Sequence, residues 1–295
     1  MLDTYLHPFF RAYPDAIFIV AGLFGLVIGS FLNVVIHRLP VMLTRNWRRE
    51  CQQLLGTADD TDKHTSYNLM FPGSTCPGCG HPIRPWENIP VLSYLWLRGR
   101  CSACHRSISP RYPAVELLAA ALAVVGVLHF GAHPAAVAAC VLSWALIVLT
   151  LIDIDHQLLP DAVTLPLLWA GLVVNSFHLF TSLHAAVMGA VAGYLSLWLV
   201  YHGFRLATGK EGMGYGDFKL LAAFGAWGGW QGLPLIILLA SAVGAVTGLG
   251  LILFRGRDRA QPIPFGPFLC VAGWIGLLWG GTLTDYYLQF AHFKG

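Results

Sequence analysis

Long uncharged apolar segments dominate this chain, and they constrain its fold more than any other feature. A helix that crosses a bilayer needs roughly 20 apolar residues in a row. Of the 295 residues, 56% are hydrophobic and only 11% are charged, whereas soluble proteins carry about 25% charged residues. We therefore predict an all-α polytopic membrane protein with about eight transmembrane helices. These lie at about residues 16–36, 113–130, 134–152, 162–180, 184–204, 217–229, 232–254 and 265–283.

A polar segment, residues 37–112, interrupts the apolar pattern after the first predicted helix. We predict three parts: residues 1–36 as an N-terminal segment with the first transmembrane helix, 37–112 as an inserted domain, and 113–295 as the membrane core. Segment 217–229 is short and rich in glycine. That composition is compatible with a broken helix, which a membrane tolerates only against protein or a wet cavity.

The distribution of Lys and Arg predicts the orientation of the chain. With the N-terminus placed outside, 15 of the 18 basic residues fall in inside segments, and the exceptions are Arg11, Lys219 and Lys294. Basic residues concentrate on the cytoplasmic side of membrane proteins. The inserted domain is therefore predicted to be cytoplasmic, with both termini outside. The basic residues form no stripe interleaved with aromatic residues, so nucleic acid is not a predicted partner.

Two Cys-x-x-Cys pairs lie in the inserted domain. They consist of Cys76, Cys79, Cys101 and Cys104. Two such pairs about 20 residues apart are typical of a zinc site with four thiolate ligands. Gly78 and Gly80 suit the tight turn of the first pair. Four thiolates leave no open ligand position, so we predict that residues 37–112 form a domain held by structural zinc.

Other thiols and imidazoles leave alternatives open. Disulfides or redox pairs are the competing interpretation of the two pairs, and the reducing cytoplasm argues against them. His81 and His105 adjoin the pairs and could replace a thiolate. The remaining cysteines are interpreted as small packing residues. These are Cys51, Cys140 and Cys270.

Carboxylates stand at the ends of two apolar segments. Asp153, Asp155 and Asp161 follow the third segment, and Asp217 follows a Gly-Met-Gly-Tyr-Gly sequence at the start of the sixth. Ionisable groups at such positions are costly and are functional candidates. Two neighbouring carboxyl groups that share one proton can activate water and polarise a carbonyl group. We predict that Asp153 and Asp217 form one active site at the cytoplasmic face.

The two other carboxylates have simpler interpretations. Asp161 follows Pro160 and opens the next predicted helix, so it is predicted to be the N-cap. Asp155 is interpreted as an interfacial or supporting group. The glycine-rich sequence before Asp217 could in principle bind phosphate, but it lacks the lysine and hydroxyl residue of a phosphate-binding loop and follows no strand.

Motifs along nearly the whole chain resemble the type IV prepilin peptidase family, also called prepilin leader peptidase/N-methyltransferase, whose Gly-x-Gly-Asp motif groups it with intramembrane aspartyl proteases. The resemblance rests on the paired cysteines and on motifs that occur in the family's order. These are Gly29-Ser-Phe-Leu-Asn-Val-Val-Ile-His-Arg38, Arg84-Pro-Trp-Glu-Asn-Ile-Pro90, Arg111-Tyr-Pro-Ala-Val-Glu116, Asp153-Ile-Asp-His-Gln-Leu-Leu-Pro-Asp161, Gly212-Met-Gly-Tyr-Gly-Asp-Phe-Lys219 and Pro262-Ile-Pro-Phe-Gly-Pro267.

The resemblance implies a bifunctional enzyme with a peptidase core at residues 113–295. It implies cleavage of the basic leader of type IV prepilins and of type II secretion pseudopilins, between Gly and Phe, with Asp153 and Asp217 as the catalytic pair. It also implies N-methylation of the new terminus by S-adenosylmethionine. The implied location is the bacterial inner membrane, with lipid as a partner and both termini in the periplasm. Gly99 is a candidate for the methyl-donor site. Glu87 and Glu116 are interpreted as ordinary interface residues, with binding of the basic leader as the alternative.

Two rival functions belong to other classes. A proton- or metal-coupled transporter would also place carboxylates and glycines in membrane helices, but it would place them near the bilayer midplane and often in repeated halves. A non-catalytic assembly scaffold with a zinc domain would tolerate Asp→Asn substitution at positions 153 and 217.

Overall fold

The computed structural model describes residues 14–56, 67–210, 212–255 and 263–292, and within them the chain is helical. Nine α-helices are labelled here in chain order: α1 Pro14–Leu54, α2 Leu92–Trp96, α3 Arg111–Phe130, α4 Pro134–His156, α5 Asp161–Ser176, α6 Leu183–Thr208, α7 Tyr215–Gly228, α8 Leu233–Arg255 and α9 Gly266–His292. The only β-structure in these residues is two isolated bridges, Thr75 with Pro82 and Arg100 with Ser107. The predicted all-α fold is confirmed.

Each of the eight predicted apolar segments corresponds to one α-helix. Six helices in the described residues are long and apolar enough to cross a bilayer, and they include α1, α3, α4, α6, α8 and α9. The protein is therefore a multi-pass membrane protein. Helix α5 has 16 residues and α7 has 14, so their crossing of the membrane stays a prediction.

The first helix extends well past its apolar run. Helix α1 has 41 residues and continues through Pro40 to Leu54. The hydroxyl of Thr44 donates to the carbonyl of Pro40 at 2.9 Å, the bond to the residue four positions earlier that a helical threonine often makes. The predicted inserted domain thus starts as a polar continuation of the first membrane helix. The division at residue 36 stays a prediction.

Residues Met1–Val148 form one compact unit. In it, α1 and α3 pack with close backbone contact at two glycines. A Cβ atom at Gly25 would lie 2.6 Å from the Cα of Ala120, and one at Gly29 would lie 2.6 Å from the Cα of Glu116. Small residues allow this approach in a membrane, where packing replaces the hydrophobic effect between helices.

Residues Leu149–Gly295 form the second compact unit, which is built around the short helix α7. Every residue from Leu220 to Trp227 is buried. Helix α6 crosses α7 in backbone contact, because Gly189 and Gly193 on α6 face Gly225 and Leu221 on α7. The segment predicted as a broken helix is instead one regular helix, and its C-cap is Gly229, whose φ is +81°.

Polar side chains fix α7 against α5 in the same unit. The indole N–H of Trp227 donates to the carbonyl of Leu167 at 2.8 Å. The amide of the fully buried Asn175 donates to the carbonyls of Ala226 and Trp227, both at 2.8 Å. The two bonds from Asn175 satisfy carbonyl groups that the end of α7 leaves free. They fix the position of α7, the helix that carries Asp217.

Substitution of Gly225 by Ala should destabilise this unit by about 3 kcal/mol, the upper end of the usual cost of overpacking a core. The new Cβ would overlap the backbone carbonyl of Gly189, and neither helix backbone can move away cheaply. Gly228→Ala on the same helix is the matched control, because its nearest neighbour would be a leucine methyl group 4.0 Å away. Thermal unfolding in detergent would compare them, and equal midpoints for the two variants would contradict the close crossing.

Candidate active site and metal centre

Asp153 lies in the last turn of α4, which belongs to the second unit from Leu149 onward. Its side chain is buried, with 6% exposure. The carboxylate accepts the backbone N–H of Gly266, the first residue of α9. The N-terminal end of a helix carries free N–H groups and partial positive charge, so it stabilises a negative group there.

Asp217 lies in the first turn of α7 and is 7% exposed. Its backbone N–H donates to the carbonyl of Gly214 at 3.3 Å. Its carboxylate accepts the backbone N–H of the same glycine, which is the N-cap residue of the helix. The glycine-rich sequence before Asp217 therefore forms a tight turn that surrounds the carboxyl group with backbone.

The structure brings Asp153 and Asp217 together inside one unit. The two carboxyl groups are close enough for direct electrostatic repulsion. A third group, the thiol of Cys270, is fully enclosed beside them; it accepts a hydrogen bond from Thr150 and interacts with both carboxyl charges. Cys270 is buried in α9, as its interpretation as a packing residue requires.

Sequence reasoning missed two residues at this site, Leu159 and Gly266. The side chain of Leu159 is 8% exposed and lies against both glycine turns. A Cβ at Gly216 would lie 2.7 Å from the Cβ of Leu159, and one at Gly266 would lie 3.2 Å from its Cδ2. Both residues belong to motifs that carried the family resemblance, but spacing along the chain gives no sign of this contact.

The prediction that Asp161 is an N-cap is wrong. Pro160 occupies the N-cap position of α5 without a side-chain cap, and Asp161 is the first helical residue. Both carboxylate oxygens of Asp161 lie 2.7 Å from Nζ of Lys219. The ammonium group of α7 attracts the carboxylate away from its own backbone. Asp155 is exposed at the end of α4, and its supporting role stays a prediction.

The four predicted cysteines converge in the first unit. The sulfur atoms of Cys76, Cys79, Cys101 and Cys104 all lie within 4.8 Å of one another. The sulfurs of Cys76 and Cys104 are 3.8 Å apart. Four sulfurs around one zinc ion, each about 2.3 Å from it, are separated by about this distance in a tetrahedral site. The cluster therefore fits one tetrahedral metal ion, and no histidine belongs to it among the described residues.

The two cysteine pairs form equivalent knuckles. In the first, the N–H of Gly80 donates to the carbonyl of Cys76 at 2.9 Å; in the second, the N–H of His105 donates to that of Cys101 at 3.0 Å. Gly80 has a φ of +71° and His105 a φ of +57°. The sequence correctly predicted a glycine turn in the first knuckle, whereas His105 takes that place in the second.

Backbone hydrogen bonds prepare the first knuckle for a metal ion. The N–H groups of Gly78 and Cys79 point at the sulfur of Cys76 and lower the pKa of that thiol to about 6. The bond from Gly78 measures 3.4 Å. A thiolate is the form that binds metal. The two bonds therefore favour the form of Cys76 that binds metal.

The remaining candidate site residues take part in structural contacts. Glu87 accepts the backbone N–H of Arg84 at 2.9 Å, and this bond holds the pKa of its carboxyl group below the usual range. Glu116 accepts the N–H of Val91 at 2.8 Å. Gly99 is buried, with a φ of +68°. Cys51 is exposed, so its interpretation as a packing residue is wrong, because the polar end of α1 leaves it uncovered.

Comparisons with known proteins agree with these features. Residues 23–130 match the Bacterial Peptidase A24 N-terminal domain, and residues 140–249 match the Type IV leader peptidase family. A prepilin leader peptidase/N-methyltransferase of Pseudomonas aeruginosa is 56% identical over 286 residues, which cover 97% of this chain and 98% of that protein. No solved structure matches the chain.

Other relatives with the same name are similarly close. The one from Aeromonas hydrophila is 56% identical over 275 residues, covering 93% of this chain and 95% of the relative. One from Burkholderia pseudomallei is 50% identical over 283 residues, covering 95% and 90%. Together with the helices and the two sites, these matches define a membrane-embedded enzyme class. The chain belongs to the type IV leader peptidase family, as its motifs predicted.

Proposed function

We propose that this chain removes the basic leader from prepilins and pseudopilins and then methylates the new N-terminus. The observation that carries the peptidase assignment is the buried pair of carboxyl groups, Asp153 and Asp217, in one helical unit. The names of the relatives support both activities. Their identity of about half or more over nearly the whole chain supports transfer of those activities to this protein.

In the proposed hydrolysis, one carboxylate takes a proton from water, and the water oxygen attacks the carbonyl carbon of the scissile bond. The second carboxyl group, still protonated, donates a hydrogen bond to the carbonyl oxygen. Two adjacent carboxyl groups hold this mixed state because both cannot be charged at low cost. They titrate as a pair, so neither is assigned alone as acid or base. Collapse of the intermediate then releases the new amine with a proton.

The leader's chemistry fits the predicted orientation. A basic leader that remains in the cytoplasm meets the membrane where the following hydrophobic helix of the prepilin begins. Asp153 lies in the last turn of α4 and Asp217 in the first turn of α7, and the basic residues near these turns support a position on the cytoplasmic side of the inner membrane. Both termini are then periplasmic. The substrate's scissile bond would enter between the carboxyl groups from that side.

The second proposed reaction transfers a methyl group from S-adenosylmethionine to the new N-terminal amine. The free amine attacks the methyl carbon, the sulfonium bond breaks, and the amine loses one proton. The names of the relatives support this activity. For the methyl-donor site we retain Gly99 in the inserted domain as the candidate from the sequence.

The cysteine cluster is proposed to bind structural zinc. Four thiolates would complete a tetrahedral shell, so the ion would hold the two knuckles together without binding water. The contacts between knuckles support this role. The side chain of Arg106 in the second knuckle lies over Gly78 in the first, where a Cβ would be 2.8 Å from its Cδ.

Incubation of the purified chain with a prepilin should shorten the prepilin by its leader, and addition of S-adenosylmethionine should add one methyl group to the product. Intact-mass spectrometry with sequencing of the product N-terminus checks both results. An unchanged prepilin at equimolar enzyme would contradict the peptidase. A cleaved product that gains no methyl group would contradict the second activity alone.

A further inference from the structure

We propose that Gly266 is a positioning residue for Asp153, and this inference rests on the proposed peptidase function. Gly266 opens α9 and donates its backbone N–H to the Asp153 carboxylate. A Cβ atom at this position would lie 2.5 Å from Oδ2 of Asp153 and 3.2 Å from its Cγ. The first turn of α9 therefore lies directly against the carboxyl group.

The requirement for glycine here is one of space rather than of backbone conformation. Glycines of positive φ in the described residues include Gly99, Gly209 and Gly229, and Gly266 is not among them. Its backbone lies in an ordinary conformation that alanine could also adopt. Any larger residue at this position would lack room, because the Asp153 carboxylate occupies the space that its side chain would need.

The start of α9 is held in place from two sides. The carbonyl of Phe265 accepts the N–H groups of Phe268 at 3.1 Å and Leu269 at 3.2 Å. Leu159 lies against Gly266 and, on its other side, against Gly216 of the turn that carries Asp217. One leucine thus separates the two backbone turns by a fixed distance. A shift of either turn would change the spacing of the two carboxyl groups.

Gly266→Ala should lower kcat for leader cleavage by about 100-fold, since a misplacement of about 1 Å in a catalytic group costs this much. The KM for prepilin should stay within about threefold, because the leader and hydrophobic helix of the substrate supply the binding. Gly280→Ala is the matched control on the same helix, since among the described residues no atom outside its own turn of helix lies within 4 Å of its Cβ position. It should retain wild-type kcat and KM.

A second measurement separates positioning from general damage. The pH profile of kcat should change shape in Gly266→Ala, because the new methyl group displaces one of two carboxyl groups that titrate as a pair. A merely destabilised variant would keep the wild-type profile at lower amplitude, and that result would overturn the positioning role. Equal kcat for Gly266→Ala and Gly280→Ala, with an active wild type, would overturn this inference alone. An inactive wild type would overturn the proposed function and this inference with it.

A different observation, in the first unit, supports a second inference. Five exposed apolar side chains lie within residues 86–96, and we call this set the apolar ridge. Its members are Trp86 at 55% exposure, Ile89 at 43%, Leu92 at 64%, Leu95 at 65% and Trp96 at 79%. A concentration of exposed large apolar side chains marks contact with protein or membrane.

The position of the apolar ridge along the membrane helices indicates that its partner is lipid. The N–H of Val91, just before α2, donates to the carboxylate of Glu116 at 2.8 Å. Glu116 lies five residues into the membrane helix α3, which is about 7 Å along the helix from Arg111. Its Cα also contacts Gly29 in the apolar run of α1. The ridge therefore starts at the level of the lipid, not above it.

The composition around the ridge matches the boundary between headgroups and acyl chains. The guanidinium of Arg84 lies over the ring of Trp86, 5.6 Å from its centroid. Arg98 and Arg100 follow α2 and are exposed. Trp at the membrane interface, with Arg on the cytoplasmic side, is typical of contact with anionic lipid. We infer that the apolar ridge inserts into the cytoplasmic leaflet of an anionic bilayer and anchors the inserted domain there.

Quenching of tryptophan fluorescence by lipids brominated near the headgroup tests this anchor in nanodiscs containing phosphatidylglycerol. Trp96→Phe should remove part of the quenched signal. Trp47→Phe is the control, because Trp47 is 47% exposed but lies about 16 Å along α1 beyond Ile36, and it should leave that signal unchanged. Leu95→Lys should reduce quenching of Trp96. Quenching that is the same in wild type and Trp96→Phe would overturn the inference.

Discussion

Asp217→Asn and Asp153→Asn should each lower the rate of leader cleavage by at least about 10⁴-fold, as loss of one member of a catalytic unit does in other proteases. Asparagine has almost the same shape, so it should preserve packing. It can neither accept a proton from water nor share a proton with its partner. Both variants should therefore insert normally and unfold at the wild-type temperature. Single-turnover cleavage of prepilin, with thermal unfolding of the same samples, measures both outcomes.

Asp155→Asn is the matched control for this pair. Asp155 is two positions from Asp153 but is exposed, whereas Asp153 and Asp217 are buried. Cleavage by Asp155→Asn should remain within about tenfold of wild type, a range that a supporting electrostatic contact covers. An Asp217→Asn protein that cleaves at the normal rate would contradict the catalytic pair. Loss of cleavage only in Asp155→Asn would move the first catalytic carboxylate to that residue.

Cys104→Ser should have the second large effect, on the inserted domain. A four-thiolate site contributes roughly 10 kcal/mol or more of zinc binding to folding. Serine is a much poorer zinc ligand than cysteine. Mutation of a residue that only hydrogen-bonds to a ligand weakens metal affinity by about 10- to 100-fold. Loss of one of the four ligands themselves should therefore weaken zinc affinity by more than this. Elemental analysis should find one zinc ion per wild-type chain and a substoichiometric amount in the variant, with easier proteolysis between the two knuckles.

Cys51→Ser is the matched control for the zinc cluster. Cys51 is an exposed thiol on the same unit but lies outside the four-sulfur cluster. It should keep a full zinc content and wild-type resistance to proteolysis. Wild-type protein without bound metal after purification under reducing conditions would contradict the zinc assignment. Equal zinc loss in both variants would show that exposure of thiols, not the cluster, governs metal content.

The sequence predicted the parts of this protein that depend on local pattern. Apolar runs predicted the helices because only helices satisfy every backbone group within a bilayer. The four cysteines were predicted as one cluster because a tetrahedral ion requires four ligands from two tight turns. Asp153 and Asp217 were predicted as neighbours from their place at the ends of apolar segments, and the structure brings them together.

What the sequence could not predict depends on residues that meet only in the folded chain. The prediction that Asp161 is an N-cap was wrong because Lys219, 58 positions away, binds its carboxylate instead. The restriction at Gly266 arises from a carboxylate more than a hundred positions earlier, so no local rule identifies it. The continuation of α1 to Leu54 was missed because polarity marked the end of the membrane run, not of the helix.

A structure of the protein with a transition-state isostere of the Gly–Phe bond, with a hydroxyl group in place of the scissile carbonyl, tests the central claim most directly. Aspartyl sites bind such a hydroxyl because it occupies the position of the attacked carbonyl. Here the hydroxyl oxygen should lie within hydrogen-bond distance of the carboxyl groups of both Asp153 and Asp217. An inhibitor that blocks cleavage while its hydroxyl lies away from both carboxyl groups would contradict the account.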